Sequence, residues 1–146
     1  MIKDELNAFF VSVFNSILAV EERNLEAMSN GKVTLKEIHV IEAVYKCMEK
    51  GENNFSAIAQ RLNITLSTLT AAYSKLERKG YLTKERDKKD KRVYWIFPTH
   101  IAELINNEHT AWHENLVDGI AATLTEEEQR NLAATLKNLG EYFAKL

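Results

Sequence analysis

Two stretches of this 146-residue chain carry side chains whose types and spacing suit contact with a polyanion. The first runs Thr65-Leu-Ser-Thr-Leu-Thr-Ala-Ala-Tyr-Ser-Lys75. Helical spacing turns Leu66 and Leu69 inward and leaves Ser67, Thr68, Thr70, Ala71 and Ser74 on a face of small side chains, with Lys75 and Arg78 behind them. Such a face lets a helix enter the major groove of duplex DNA, about 12 Å wide, with its backbone close to base edges. Free N–H groups after Thr65 can bind a phosphate. The second stretch is Asp87-Lys-Lys-Asp-Lys-Arg92. Lys88, Lys89 and Arg92 suit the negative potential of a minor groove. Asp90, two residues before Arg92, can fix it through an ion pair.

Charge distribution agrees with those two stretches better than total charge does. The net charge of −2 argues for no polyanion partner. Residues 61–92, however, hold ten cations against four acids, a local balance of +6 that leaves −8 on the rest. A polyanion would be drawn to one region and repelled by the others. An interaction adaptor that never meets DNA has no reason to gather that charge.

Other chemistry is weakly supported. The chain contains no Gly-rich phosphate loop, nucleophile elbow or H-E-x-x-H motif, so an enzyme is not expected and no cofactor is implied. His109 and His113 lie four apart on one helix, the spacing of a metal-binding pair. Cys47 is the only cysteine, which excludes an intrachain disulfide and fits a reducing, cytoplasmic setting. Its place near a helix C-terminus raises thiol pKa and argues against redox sensing. Apolar residues make up 45% and charged residues 27%, as in a soluble globular domain. Runs of 18 apolar residues are absent, and Met1-Ile-Lys-Asp-Glu5 lacks the pattern of a secretory signal, so neither a membrane partner nor export is expected.

The elements that must position these residues follow from periodicity and punctuation. Residues 4–29 read as an amphipathic helix with Leu6, Phe9, Phe10, Val13, Phe14, Ile17 and Leu18 in a wide stripe. Thr34 with Glu37 predicts a capping box opening a second helix. Asn54 caps a short helix over Phe55–Leu62, Asn63-Ile64 turns, and Thr65 caps the next helix, which stops at Gly80. Two short helices joined by about three residues outline a helix-turn-helix. The period then switches to two: Tyr81–Arg86 and Arg92–Phe97 predict a β-hairpin with a solvated charged tip, ended by Pro98. Helices over about 99–122 and from Thr125, with a capping box to Glu128, close the chain. The order α-α-α-α-β-β-α-α is mainly α with a small β-hairpin wing, a winged helix-turn-helix.

Three segments carry a family pattern: Asn54 to Thr70, Leu76-Glu-Arg-Lys-Gly-Tyr-Leu82, and Arg86 to Val93 with Asp87-x-x-Asp90-x-Arg92. Together they resemble the MarR family of winged-helix transcriptional regulators, and the resemblance extends over nearly the whole chain. The chain departs from the family pattern at Pro98-Thr-His-Ile-Ala102, where Leu-Thr-x-x-Gly is usual. The resemblance implies a homodimeric DNA-binding regulator, in repressor form, on a pseudo-palindromic operator. Residues 1–33 and 99–146 would dimerise and 34–98 would bind DNA. Apolar surface points the same way. Leu6, Phe9, Phe10, Val13 and Phe14 at one end, with Leu132, Leu136, Leu139, Tyr142 and Phe143 at the other, exceed what one small core can bury. Two-fold pairing would set two reading heads about 34 Å apart, one DNA turn.

Within the family, Val13 to Glu22 with Asn24-Leu25, and Lys36 to Ile41, are similar to streptococcal-type regulators of fatty acid synthesis. That similarity implies an acyl chain on acyl carrier protein as effector, in a slot between the first, second and fifth helices lined by Phe10, Phe14, Ile17 and Ile38, with His39, His109 and His113 nearby. A competing reading is zinc: His39 matches a ligand position in zinc-uptake regulators of the family, with Glu22, His109 and His113 completing the set.

Overall fold

The computed structural model describes residues 2–146 and contains the eight elements in the expected order: α1 (Ile2–Ser29), α2 (Leu35–Glu49), α3 (Phe55–Leu62), α4 (Leu66–Arg78), β1 (Leu82–Arg86), β2 (Tyr94–Pro98), α5 (His100–Ala121) and α6 (Glu126–Ala144). The chain divides into two compact units, the first ending at Glu108 and the second running His109–Leu146. Among the described residues no helix is long and apolar enough to cross a membrane.

Cap chemistry sets the helix starts of the first unit. The Glu37 N–H donates to Thr34 Oγ1 at 3.2 Å, and the Thr34 N–H donates to Glu37 Oε2 at 3.2 Å, closing the box that opens α2. Asn54 Oδ1 accepts from the Ala57 N–H at 2.9 Å and starts α3. Asn63 then ends α3 in the left-handed region, at φ 54°, a conformation that asparagine tolerates through its short polar side chain. Two residues later Thr65 caps α4.

One core holds the lobe together. Ile38, Ile41 and Val44 of α2, Ile58 of α3, Leu69 and Leu76 of α4, and Ile96 of β2 are all fully buried. Leu25 anchors the C-terminal part of α1 to this cluster, and Ala102 anchors the start of α5. Ile38 is thus core and is not free to line an effector slot.

The hairpin is antiparallel, with Leu82 opposite Pro98 and Arg86 opposite Tyr94. β1 begins one residue and β2 two residues later than periodicity suggests, and the late start of β2 follows from the turn, where the Val93 N–H donates to Asp90 O at 3.0 Å and the Asp87 N–H to Val93 O at 2.9 Å. Asp87 Oδ2 accepts from the N–H groups of Asp90 at 2.7 Å and Lys89 at 3.0 Å, and Oδ1 accepts from Trp95 Nε1 at 3.0 Å. The charged tip is a built turn, with an aspartate bonding the backbone just ahead of it. β2 is also paired to the helix-turn-helix. The Ile96 N–H donates to Asn53 O at 2.8 Å, Asn53 Nδ2 donates to Ile96 O at 2.8 Å, and Asn54 bridges Trp95.

The joint after β2 is held by Thr99. Its hydroxyl donates to Gly80 O at 2.6 Å and its N–H to Tyr81 O at 3.0 Å. This contact ties the start of α5 to the foot of β1.

In the second unit, Thr125 and Glu128 form the expected capping box, and Gln129 Nε2 donates to Ala121 O at 3.0 Å across the turn. No residue of α6 is buried.

Candidate nucleic-acid interface

Helix α4 has two faces. Leu69, Tyr73 and Leu76 are buried, at spacings of four and three. Thr65, Ser67, Thr68, Thr70, Ala71, Ser74, Lys75 and Arg78 are all exposed. Leu66 departs from expectation: it is 52% exposed. Two turns ahead of Tyr73, it lines a groove of about 390 Å³ bounded by Asn54, Phe55, Ser56, Thr70, Arg92, Val93 and Tyr94. This groove lies between the start of α3, the front of α4 and the tip end of the hairpin. The sequence reading did not single out Asn54, Ser56 or Tyr94 for this position.

The hydroxyls on α4 are partly committed. Thr70 Oγ1 donates to Leu66 O at 2.9 Å, and Ser74 Oγ donates to Thr70 O at 3.0 Å. Each keeps lone pairs facing outward as acceptors. Thr65 and Thr68 share a hydroxyl contact of 2.7 Å at the helix start.

On the hairpin, Asp90 grips Arg92 as expected. Arg92 Nε donates to Oδ1 at 3.0 Å and Nη2 to Oδ2 at 3.1 Å, a two-point pairing that leaves the arginine 90% exposed along its side chain. The Arg92 side chain holds the Asp90 carboxyl below its ordinary range, and the pair holds the guanidinium more firmly charged. Asp87 is lowered too, first by the Asp90 N–H and then by Trp95 and the Lys89 N–H. Lys88 and Lys89 are exposed beside them.

Two cations of the basic segment serve other ends. Lys79 Nζ donates to both carboxylate oxygens of Glu37, at 2.7 and 2.9 Å, and to Lys32 O at 3.0 Å. It joins the end of α4 to the start of α2. Lys84 points its ammonium at a set of aromatic rings. Charge counting along the sequence could not separate these two from the free cations, because their partners lie on other elements.

The apolar residues expected to line an effector slot do not form one on the single chain. Phe10, Phe14 and Ile17 stand 50%, 63% and 45% exposed on α1, and Ile38 lies in the core. A crevice of about 770 Å³ does run between α2 and α4, with Leu35, Val40, Leu62, Ile64, Ala71 and Ala72 among its apolar walls and His39 and Glu22 on its lining. The acid against His39 is Glu21, at 3.7 Å, not Glu22. A helix turns about 100° per residue, so Glu21 is carried inward while Glu22 remains exposed. His109 and His113 bring their Nε2 atoms within 3.1 Å of each other along α5. Burial is the main cause that pushes the Cys47 thiol pKa up, the direction expected from its place at the end of α2.

An exposed helix of small polar residues, framed by a built cationic hairpin, defines a winged helix-turn-helix DNA-binding protein. The MarR family pattern matches residues 33–94, the stretch from α2 through α4 and β1 to the charged hairpin tip. A crystal structure of Streptococcus pneumoniae FabT in complex with DNA is similar over 98% of both chains, at 30% identity and a TM-score of 0.90. The transcriptional regulator AdcR of Streptococcus pneumoniae serotype 2 (strain D39 / NCTC 7466) is 26% identical over 86% of each chain. The HTH-type transcriptional repressor MdtR of Bacillus subtilis (strain 168) is 25% identical, over 84% of this chain and 77% of its own. The chain belongs to the MarR family and is a DNA-binding transcriptional regulator.

Proposed function

We propose that the protein is a homodimeric repressor of a pseudo-palindromic operator, with residues 34–98 reading DNA and residues 1–33 and 99–146 joining the two copies. In this reading α4 enters the major groove and the hairpin tip enters the adjacent minor groove. Ser67, Thr68, Thr70, Ala71 and Ser74 approach base edges. Thr70 and Ser74 give their protons to the helix backbone, so toward DNA they act as acceptors and favour adenine N6 or cytosine N4. Thr65, Lys75, Arg78, Lys88 and Lys89 meet phosphates, and Arg92, aimed by Asp90, enters the minor groove. The observation that carries this reading is the two-point Asp90–Arg92 pairing, which presents a pre-oriented guanidinium to solvent on the tip of a built turn.

Homodimerisation is supported by apolar side chains left uncovered on the single chain. Phe9, Phe10, Val13 and Phe14 of α1, and Leu132, Leu136, Tyr142 and Phe143 of α6, are each at least 41% exposed. A second copy supplies the apolar cover that water does not. The effector in this reading is an acyl chain delivered on acyl carrier protein. It inserts among apolar α1 side chains such as Phe10, Phe14 and Ile17 once two copies meet, and alters the separation of the reading heads. A zinc-responsive alternative is favoured by the convergent Nε2 atoms of His109 and His113. Native mass spectrometry of the protein from its own host separates these readings, since a retained lipid or metal appears as added mass.

Titrating binding against salt tests the DNA reading. The probe is a duplex selected by the wild-type chain from a random-sequence library. With about 6–10 phosphate contacts, affinity falls by ~10³–10⁵ between 50 and 200 mM salt. Ser67→Glu with Thr68→Glu abolishes binding while the dimer persists; a retained footprint would mean that α4 is not the reading helix.

A further inference from the structure

Lys84 lies on β1 inside the basic segment, yet its ammonium faces three aromatic rings. Its Nζ is 4.9 Å from the centroid of Tyr94, 5.2 Å from Tyr73 and 5.9 Å from Phe55. Those rings belong to β2, α4 and α3, so one charge reaches across three elements besides its own. Attraction to a ring face holds a cation at such distances. The rings are braced as well. Phe55 meets Tyr73 edge-on at 5.2 Å and 67°, and the Tyr73 hydroxyl donates to the Glu77 carboxylate, which leaves its ring richer in electrons. Arg86 covers Tyr94 at 5.2 Å, directly across the hairpin.

The two strands are attached to the lobe unequally. β2 is anchored along its main chain by Asn53 and Asn54. β1 is buried only at Leu82, and Thr83 through Arg86 are exposed. A two-stranded ribbon is marginal alone and twists over a wide range. Its rotation about the anchored β2 edge decides where the tip, and Arg92 with it, points.

We propose that Lys84 is a positioning residue for DNA recognition: clamped between Phe55, Tyr73 and Tyr94, it sets the pitch of the hairpin against α4 so that the tip and the reading helix engage neighbouring grooves together. The ammonium is a strut and makes no phosphate contact. The inference rests on the reading of the hairpin as a DNA contact, so its test begins in the free protein.

Hydrogen exchange is measured on the wild-type chain and on the variants Lys84→Met and Lys84→Arg, without DNA. Lys84→Met is expected to speed exchange of backbone amides over residues 83–97 while those of α4 stay protected, and Lys84→Arg restores them. Unchanged hairpin exchange in Lys84→Met overturns the strut whatever the hairpin does on DNA. The same variants are then titrated with the duplex selected by the wild-type chain. Lys84→Met is expected to bind roughly tenfold more weakly, with an unchanged salt slope, and Lys84→Arg within about twofold of wild type. Repeated selection with Lys84→Met is expected to lose base preference only at the flanks that the hairpin reaches. A salt slope shallower by about 0.9 identifies a phosphate contact and overturns the proposal. So does an equal loss of preference at every position, which would mark a general loss of folding.

Discussion

The winged lobe and helix α6 are built on opposite terms. In the lobe, Ile38, Ile58, Leu69, Leu76 and Ile96 from four elements are fully buried, and α2, α3 and α4 each start on a side-chain cap. Helix α6 is capped as well as any, yet none of its residues is buried, and Leu132, Leu136, Tyr142 and Phe143 face solvent. The N-terminal half of α1 behaves like α6, with Phe9 and Phe14 more than 60% exposed. A good cap starts a helix but does not cover its apolar face. The lobe completes itself within one chain, whereas α6 and the front of α1 leave apolar side chains exposed, as the proposed dimer requires.

Paired substitutions break or sharpen that contrast. Leu69→Ala empties a site inside the lobe and is expected to cost about 2–5 kcal/mol of stability, whatever the protein concentration. Chemical denaturation at two concentrations checks it. Leu136→Asp leaves the lobe folded but is expected to dissociate the dimer and to cut operator affinity roughly 10²-fold, since two linked heads bind far better than one. Sedimentation equilibrium with a parallel gel shift reads both effects. A stable monomer with full affinity would remove the distinction between the two regions. Arg92→Ala is expected to weaken operator binding about tenfold, with a salt slope shallower by about 0.9 and no change in the dimer.

Smaller effects refine the lobe itself. Lys79→Met removes the cation from the nearly buried Glu37 carboxylate and is expected to lower stability by about 1 kcal/mol, with the salt slope unchanged. Acid acts on the hairpin tip. Asp87 and Asp90 both have lowered pKa in the folded state, so the stability they contribute is present above their ordinary range and is lost as pH falls through the folded values. Trp95 donates to Asp87, so its emission is expected to stay constant from pH 7 to about 5 and to change only below about pH 4.

Much of this arrangement was legible in the residues alone. Caps at Thr34, Asn54, Thr65 and Thr125 are local chemistry, settled within three residues, and all four stand where spacing places them. The Asp90–Arg92 pair is equally local. Non-local contacts were not legible. Lys79 finds Glu37 and Lys84 finds Phe55 only because the fold returns the chain to them. Leu66 shares the periodicity of Leu69, but the core ends short of it and the groove begins there. The start of β2 moved because the turn claims Arg92 and Val93, the Val93 N–H donating to Asp90 O and the Asp87 N–H to Val93 O. The apolar residues of α1 read as slot lining, while on the single chain Phe10, Phe14 and Ile17 are open to solvent.

Hydrogen exchange of the protein with and without the selected duplex tests most directly that α4 and the hairpin act as one docking surface. The expected result is new protection in two separate segments, 65–78 and 87–93, appearing together and fading together as salt is raised. Protection confined to α5 and α6, or to only one of the two segments, would contradict it.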